Sequence, residues 1–213
     1  VLTPSYERSD DRADPKWLVE QESRGIRFEM GREINRFSRV TLTQNNAWVH
    51  QNLTIFADTL AAPVKDSLEL SVVGRYSTHS VALGGVRDFR DNPLNATRGS
   101  VQAITAEVAG GPFKGTSSFR KLSFVSSWYT PFANGWVLAT RLRAGTIKPT
   151  GSAPAFSIED LVDSAVVQVP LNDRFRTGGV NSVRGYSENA IPPSGGLALL
   201  QANAELRIPI AGP

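Results

Sequence analysis

Strand-length segments of this chain alternate apolar with strongly polar side chains, and that period of two confines it to extended strands with two unlike faces. From Gly25 to Ile34, Ile26, Phe28 and Met30 take one face while Arg27 and Glu29 take the other. Arg39 to Thr43 alternates likewise, the pattern blurs from Gln44 to Gln51, where a β-bulge is expected, and it resumes at Leu53 to Phe56. Leu68 to Tyr76 sets Leu68, Leu70, Val72, Gly74 and Tyr76 against Glu69, Ser71, Arg75 and Ser77. Val101 to Val108 sets Ile104, Ala106 and Val108 against Thr105 and Glu107, and Arg120 to Tyr129 sets Leu122, Phe124 and Trp128 against Lys121, Ser123 and Ser127. Trp136 to Ala144 opposes Trp136, Leu138, Leu142 and Ala144 to Arg141 and Arg143. In Leu200 to Ile208, Gln201, Asn203, Glu205 and Arg207 share one face, and Ala202, Ala204, Leu206 and Ile208 the other.

Two architectures carry such a pattern. A soluble sandwich turns the polar face to water; a transmembrane barrel turns the apolar face to lipid and the polar face to a wet lumen. The segments approach the ~9–11 residues that cross a bilayer, against ~5–6 for soluble strands. Their joins alternate in length. Asn35 to Phe37, Asn92 to Gly99 and Pro131 to Gly135 are short, whereas Ala57 to Asp66 and Thr146 to Ser194 are long. Short periplasmic turns and long extracellular loops are the barrel habit. Phe37, Trp128, Tyr129, Phe132 and Trp136 near the turns suit an interfacial girdle, or equally a soluble core. Ser157 to Ser164 is expected to form a helical turn capped by Ser157, with Glu159 and Asp160 in its first turn. Val1 to Pro15, acidic and without pattern, reads as loop plus a strand remnant.

Composition removes other classes. No apolar run reaches the ~18–20 residues of a membrane helix. Mean hydropathy is −0.20, which an alternating barrel also shows. The absence of cysteine removes disulfide scaffolds and thiolate metal sites. With 23 basic and 20 acidic residues interspersed, the formal charge of +3 supplies no basic block for nucleic acid. Val1 opens no signal peptide, so this start is read as a processed or truncated end. His50 and His79 lie in strand-like segments without metal-ligand spacing. Gly178 to Gly185 superficially resembles a phosphate cradle, but an extended segment follows where a helix N-terminus is needed. No enzyme, metal site or cofactor is expected.

The most informative stretch is RFRTGGVNSVRGY, Arg174 to Tyr186, followed by the alternating strand that carries Glu205. By itself it is either a Gly-rich surface loop with a solvated arginine or a loop folded inward onto an acidic partner. The run Gly178-Gly179-Val180-Asn181-Ser182-Val183-Arg184-Gly185-Tyr186 resembles the G-G-x-x-S-V-R-G-[FY] signature of the BamA/TamA family of outer-membrane assembly barrels. Asp88-Phe89-Arg90-Asp91-Asn92-Pro93-Leu94-Asn95-Ala96-Thr97-Arg98-Gly99 resembles the family's D-x-R-D-N-P-x-x-x-T-R-G, with Ala96 where proline is frequent. Ala204-Glu205-Leu206-Arg207-Ile208-Pro209 resembles its L-E-[LY]-R-[FI]-P strand end. All three stand in the family's order, over most of the chain from about Gly25 onward.

The resemblance implies an all-β antiparallel meander of about seven or eight long strands, part of a 16-stranded transmembrane β-barrel in the bacterial outer membrane. Residues 1–213 are then a partial barrel domain without periplasmic domains. Within it, 1–22 is strand remnant and loop, and 148–194 is a long extracellular loop folding into the lumen. It implies that Arg184 contacts Glu205, that Gly185 allows close approach, and that Val183 and Tyr186 belong to the loop tip, Tyr186 packing on the wall. In a confined, partly desolvated lumen the arginine needs that partner, and a bidentate guanidinium fork is the expected geometry. The residues Asp88, Arg90, Asp91, Asn92, Pro93, Thr97, Arg98 and Gly99 are expected to form a periplasmic hairpin turn, with Asp91 and Arg98 paired across it. Implied partners are outer-membrane lipid, unfolded outer-membrane protein substrates, and periplasmic domains with accessory subunits. The implied function is insertion or translocation of β-barrel proteins by a chain not active alone. Alternatives are a two-partner-secretion transporter, the barrel of a patatin-like lipase fusion, and a soluble β-sheet binding domain.

Overall fold

The computed structural model describes residues 2–14, 17–55, 75–132, 135–151, 169–180 and 182–209. Among the described residues, eight strands form one antiparallel sheet: β1 (Leu2–Asp14), β2 (Trp17–Asn35), β3 (Ser38–Ile55), β4 (Arg75–Asp88), β5 (Gly99–Ala109), β6 (Phe119–Pro131), β7 (Val137–Pro149) and β10 (Ala198–Arg207). Each pairs with its neighbour in chain order, β10 lying beside β7. Between them in sequence, β8 (Phe175–Thr177) and β9 (Ile191–Gly196) make a separate two-stranded ribbon. With 10 residues in β10 and 19 in β2, the sheet strands are long enough to cross a bilayer.

The two faces follow the alternation. The outward side carries Ile26, Phe28, Met30, Leu42, Leu83, Ile104, Leu122, Trp128, Leu200 and Leu206, all exposed. A continuous apolar sheet face left open is what lipid covers; in water it would be a liability. The opposite face carries Thr105, Glu107, Lys121, Ser123, Arg141, Arg143, Gln201, Asn203 and Glu205 at alternate positions of β5, β6, β7 and β10. The buried apolar cluster is correspondingly small. Phe119, Ala109, Ile147 and Val169 pack together, with Phe175 and Leu197 against them.

One end of the sheet is closed by short turns. Phe37 N–H donates to Asn35 Oδ1 at 2.9 Å, an Asx turn between β2 and β3. Asp88 N–H donates to the Phe37 carbonyl at 2.8 Å, binding that turn to the next hairpin. Phe37 and Phe89 pack at 4.7 Å, with Arg36 and Arg87 over their rings.

Several expectations are corrected. The loop expected within 1–22 is replaced by strand: residues 2–14 form β1 and pair with 17–28 of β2, Leu2 opposite Phe28 and Asp11 opposite Val19. Backbone hydrogen bonding to a neighbour holds them extended despite the missing alternation. No bulge interrupts Gln44 to Gln51, since β3 pairs without a register shift there. The pattern blurs because polar Gln44 and Asn46 occupy the apolar-facing parity. Of the expected Leu68–Tyr76 strand, residues 68–74 lie outside the described residues, as do Ala57–Asp66 and the helical turn at Ser157–Ser164. Tyr76 itself is corrected: it is buried on the lumen side with Thr78 and Ser80. The strand there runs on to Asp88, longer than the pattern indicated. Gly84 allows that, because a Cβ would sit 2.6 Å from Thr41 Oγ1 on β3.

Candidate functional site

The long connection after β7 returns to the polar face of the sheet. Its base is anchored near the end remote from the short turns. Val169 is fully buried in the apolar cluster, and the buried Arg174 donates through Nε to the Val169 carbonyl at 2.9 Å. Lys121 Nζ donates to the Asp173 carbonyl at 2.8 Å, and Thr78 Oγ1 to Asp173 Oδ2 at 3.3 Å. Burial, reinforced by the negative charge of Glu107, raises the Asp173 carboxyl to about 6.

From that base the loop tip descends along β10. Gly178 and Gly179 take φ of 122° and 90°, open to glycine at little cost. A Cβ at Gly178 would collide with the Ser187 carbonyl, and one at Gly179 with the Glu188 carboxylate. The tight turn this permits is closed by Ser182, whose hydroxyl donates to the Gly178 carbonyl and accepts from Gly178 N–H at 2.8 Å. Gly179 N–H reaches the Tyr186 carbonyl at 3.0 Å.

The tip meets the wall at two points. Asn203 Nδ2 donates to the Ser182 carbonyl at 2.8 Å, and Arg184 Nη2 donates to Glu205 Oε2 at 2.5 Å. Glu205 lies seven residues below Ala198, where β10 begins, so the loop descends about 23 Å along that strand. The other carboxylate oxygen, Oε1, accepts from Arg207 Nε at 3.2 Å. Gln201 Nε2 donates to Asn203 Oδ1 at 2.7 Å, and Arg143 Nη1 to Gln201 Oε1 at 3.2 Å. A cavity of about 630 Å³ lies between loop and wall, lined by Tyr129, Arg141, Ser182, Arg184, Asn203 and Glu205 among others.

The structure therefore brings Arg184 and Glu205 together, with four differences from expectation. The guanidinium is not bidentate on Glu205: the carboxylate is divided between Arg184 and Arg207. The pair is not desolvated, the Arg184 side chain being 71% exposed and that of Glu205 41%. Gly185 meets no crowding and is favoured by its φ of 93° alone, close approach falling on Gly178 and Gly179 instead. Tyr186 does not pack on the wall but is 58% exposed, while Val183 lines the cavity. Sequence reasoning assigned no role to Ser182, Asn203 and Arg207. The signal for the last two was their shared odd parity with Glu205.

The second motif forms the turn between β4 and β5. Arg90 grips Asp88 with both ends, Nε to Oδ1 at 2.9 Å and Nη2 to Oδ2 at 2.6 Å, and gives Nη1 to the Pro93 carbonyl at 3.0 Å. Asp91 accepts from the Thr97 hydroxyl and from the backbone N–H groups of Asn92, Thr97 and Arg98. The Thr97 hydroxyl first, then those N–H groups, hold its carboxyl well below the usual range. The expected Asp91–Arg98 side-chain pair is thus corrected: Asp91 takes the Arg98 backbone, and Asp88 takes an arginine side chain, that of Arg90. Asn92 Oδ1 caps Leu94 N–H at 2.9 Å, Pro93 supplies its carbonyl, and Gly99 has φ 101° with the Phe89 carbonyl where a Cβ would stand. Among the described residues no three histidine or acidic side chains cluster to hold a metal.

Long strands, an apolar outer face, a polar inner face and a loop folded onto it define the wall of a transmembrane β-barrel with an inward-docked loop. The chain belongs to the Omp85 superfamily, whose domain model matches residues 5–212. It is 30% identical over 107 residues to outer membrane protein assembly factor BamA of Nitratidesulfovibrio vulgaris, covering 50% of this chain and 12% of that protein. It is 30% identical over 178 residues to a SAM50-like protein of Schizosaccharomyces pombe, covering 79% of this chain and 33% of that protein. In fold it matches the crystal structure of BamA from Haemophilus ducreyi lacking POTRA domains 1–3, with a TM-score of 0.73 at 16% identity, over 98% of this chain and 41% of that one. The chain thus spans a minority of each of these relatives. A further 30% match over 121 residues, to L-fucose dehydrogenase of Oryctolagus cuniculus, covers 43% of each. That match covers less than half of this chain, whereas the Omp85 domain model spans residues 5–212. Membership places the chain in an outer membrane.

Proposed function

We propose that this chain forms wall and inner loop of a bacterial outer-membrane factor that inserts unfolded β-barrel proteins into the membrane. Family membership and the similarity to BamA support that reading. The observation that carries it is the docking of the Arg184 tip onto Glu205, deep on the polar face of β10. The residues involved hold and orient rather than make or break bonds: a guanidinium, a carboxylate and amide donors without a nucleophile–base pair. Its partners are membrane lipid on the apolar face and unfolded barrel substrates, with periplasmic domains and accessory subunits working from the end of the short turns.

An exposed ion pair contributes about 0–1 kcal/mol, so Arg184→Ala is expected to move stability little. Its effect belongs to loop placement. In the whole protein, Arg184→Ala is expected to lower the yield of correctly inserted barrel substrate about tenfold in reconstituted vesicles, since misplacing a positioned element costs far more than the contact itself. Insertion at the parental rate with a normally folded variant would refute the role.

A further inference from the structure

Arg207 carries contacts that neither the loop nor the turn motif accounts for. Its Nε holds Glu205 Oε1 at 3.2 Å, and its Nη1 donates to the Ala96 carbonyl at 3.4 Å. Its guanidinium also lies 5.5 Å from the centre of the Tyr129 ring on β6. Ala96 is only 3% exposed and belongs to the turn between β4 and β5. That turn is held as a unit, with Asp91 N–H on the Arg98 carbonyl at 3.1 Å and the Asp91 carboxylate on Thr97 and Arg98 N–H. An unbroken series of polar contacts therefore runs from Arg184 through Glu205 and Arg207 to the turn, although 111 residues separate Arg207 from Ala96.

We infer that Arg207 is a positioning residue that couples the seating of the inner loop's tip to the order of the turn at the end of the barrel wall remote from the loop's base. Glu205 offers two oxygens, one to each arginine. If Arg184 leaves, the carboxylate can turn both oxygens to Arg207, because a planar fork binds a carboxylate best with two parallel N–H bonds. The guanidinium then re-aims and Nη1 leaves the Ala96 carbonyl. Coupling is reciprocal. A protein domain pressing on the turn would shift the loop, as loss of the loop contact would loosen the turn. Lysine at 207 can serve Glu205 or Ala96 but not both, since one ammonium replaces a fork with several donors in fixed directions.

The test is hydrogen exchange on the whole protein in lipid nanodiscs, read at two places. These are the loop amides of Gly179 and Ser182 and the turn amides of Asp91, Thr97 and Arg98. The inference rests on the docked-loop reading, and the two places separate the failures. Arg184→Ala is expected to speed both loop and turn exchange, the turn by about threefold or more. In an Arg207→Lys background the turn already exchanges faster, loop protection is kept, and adding Arg184→Ala speeds the loop alone. If Arg184→Ala speeds the loop but leaves the turn unchanged, or speeds the turn equally in both backgrounds, the coupling is wrong. If it leaves the loop unchanged, the docked-loop reading fails and the coupling falls with it.

Discussion

An arginine at Ile104 destabilises the folded barrel by about 2–4 kcal/mol, whereas an arginine at the next residue, Thr105, changes stability by about 0.5 kcal/mol or less. The two positions are adjacent in the middle of β5 and differ only in face. Ile104 pairs with Phe124 on one side and Gly85 on the other, in the apolar band where a guanidinium would have to reach lipid headgroups. Thr105 pairs with Ser123 and Gly84 on the polar face, where a long cation has water and carboxylates within reach. The measurement is a urea titration of the whole protein folded into lipid vesicles. Equal losses at the two positions, or the larger loss at Thr105, would contradict this assignment of the two faces of β5.

Phe119→Ala is expected to cost about 3–5 kcal/mol, the usual penalty for emptying a buried aromatic site. Phe119 has no exposed surface and lies at the start of β6, packed with Ala109, Ile147 and Val169. It is the contact through which the loop base grips the wall, since Val169 belongs to the loop and the other two to β5 and β7. The same titration reads the loss. A change below about 1 kcal/mol would mean that the loop base is not held by this cluster.

The legible parts of the fold were those where the two faces differ sharply in chemistry. β5 announces itself by Ile104, Ala106 and Val108 against Thr105 and Glu107, and β10 by Gln201, Asn203 and Glu205 against Ala202, Ala204 and Leu206. β4 was obscured because Ala82 and Val86 make its inner face partly apolar and Gly84-Gly85 removes two side chains from the pattern. β1 has no pattern, because a strand held mainly by backbone pairing needs none. At the loop, parity put Glu205 on the inner face, opposite a loop that carries an arginine. The division of Glu205 between two arginines follows from the same parity, as Arg207 stands two residues further along the same face. Which glycine serves φ and which serves close approach could not be read from the motif, since both need only a missing Cβ. In the turn, Asp88 and Arg90 form an i, i+2 pair, a spacing masked in sequence by the adjacent Asp91.

The loop tip sits inside the wall, against β10. These 213 residues contain no cysteine, so a pair introduced at Ser182 and Asn203 supplies the only thiols among them. A short bifunctional thiol reagent applied to the whole protein in its membrane is expected to join that pair, because Asn203 Nδ2 already contacts the Ser182 carbonyl at 2.8 Å. Joining should match that of a second pair placed at the cross-strand partners Ala103 and Val125. Efficient joining of the Ala103–Val125 pair with none between 182 and 203 would contradict the account.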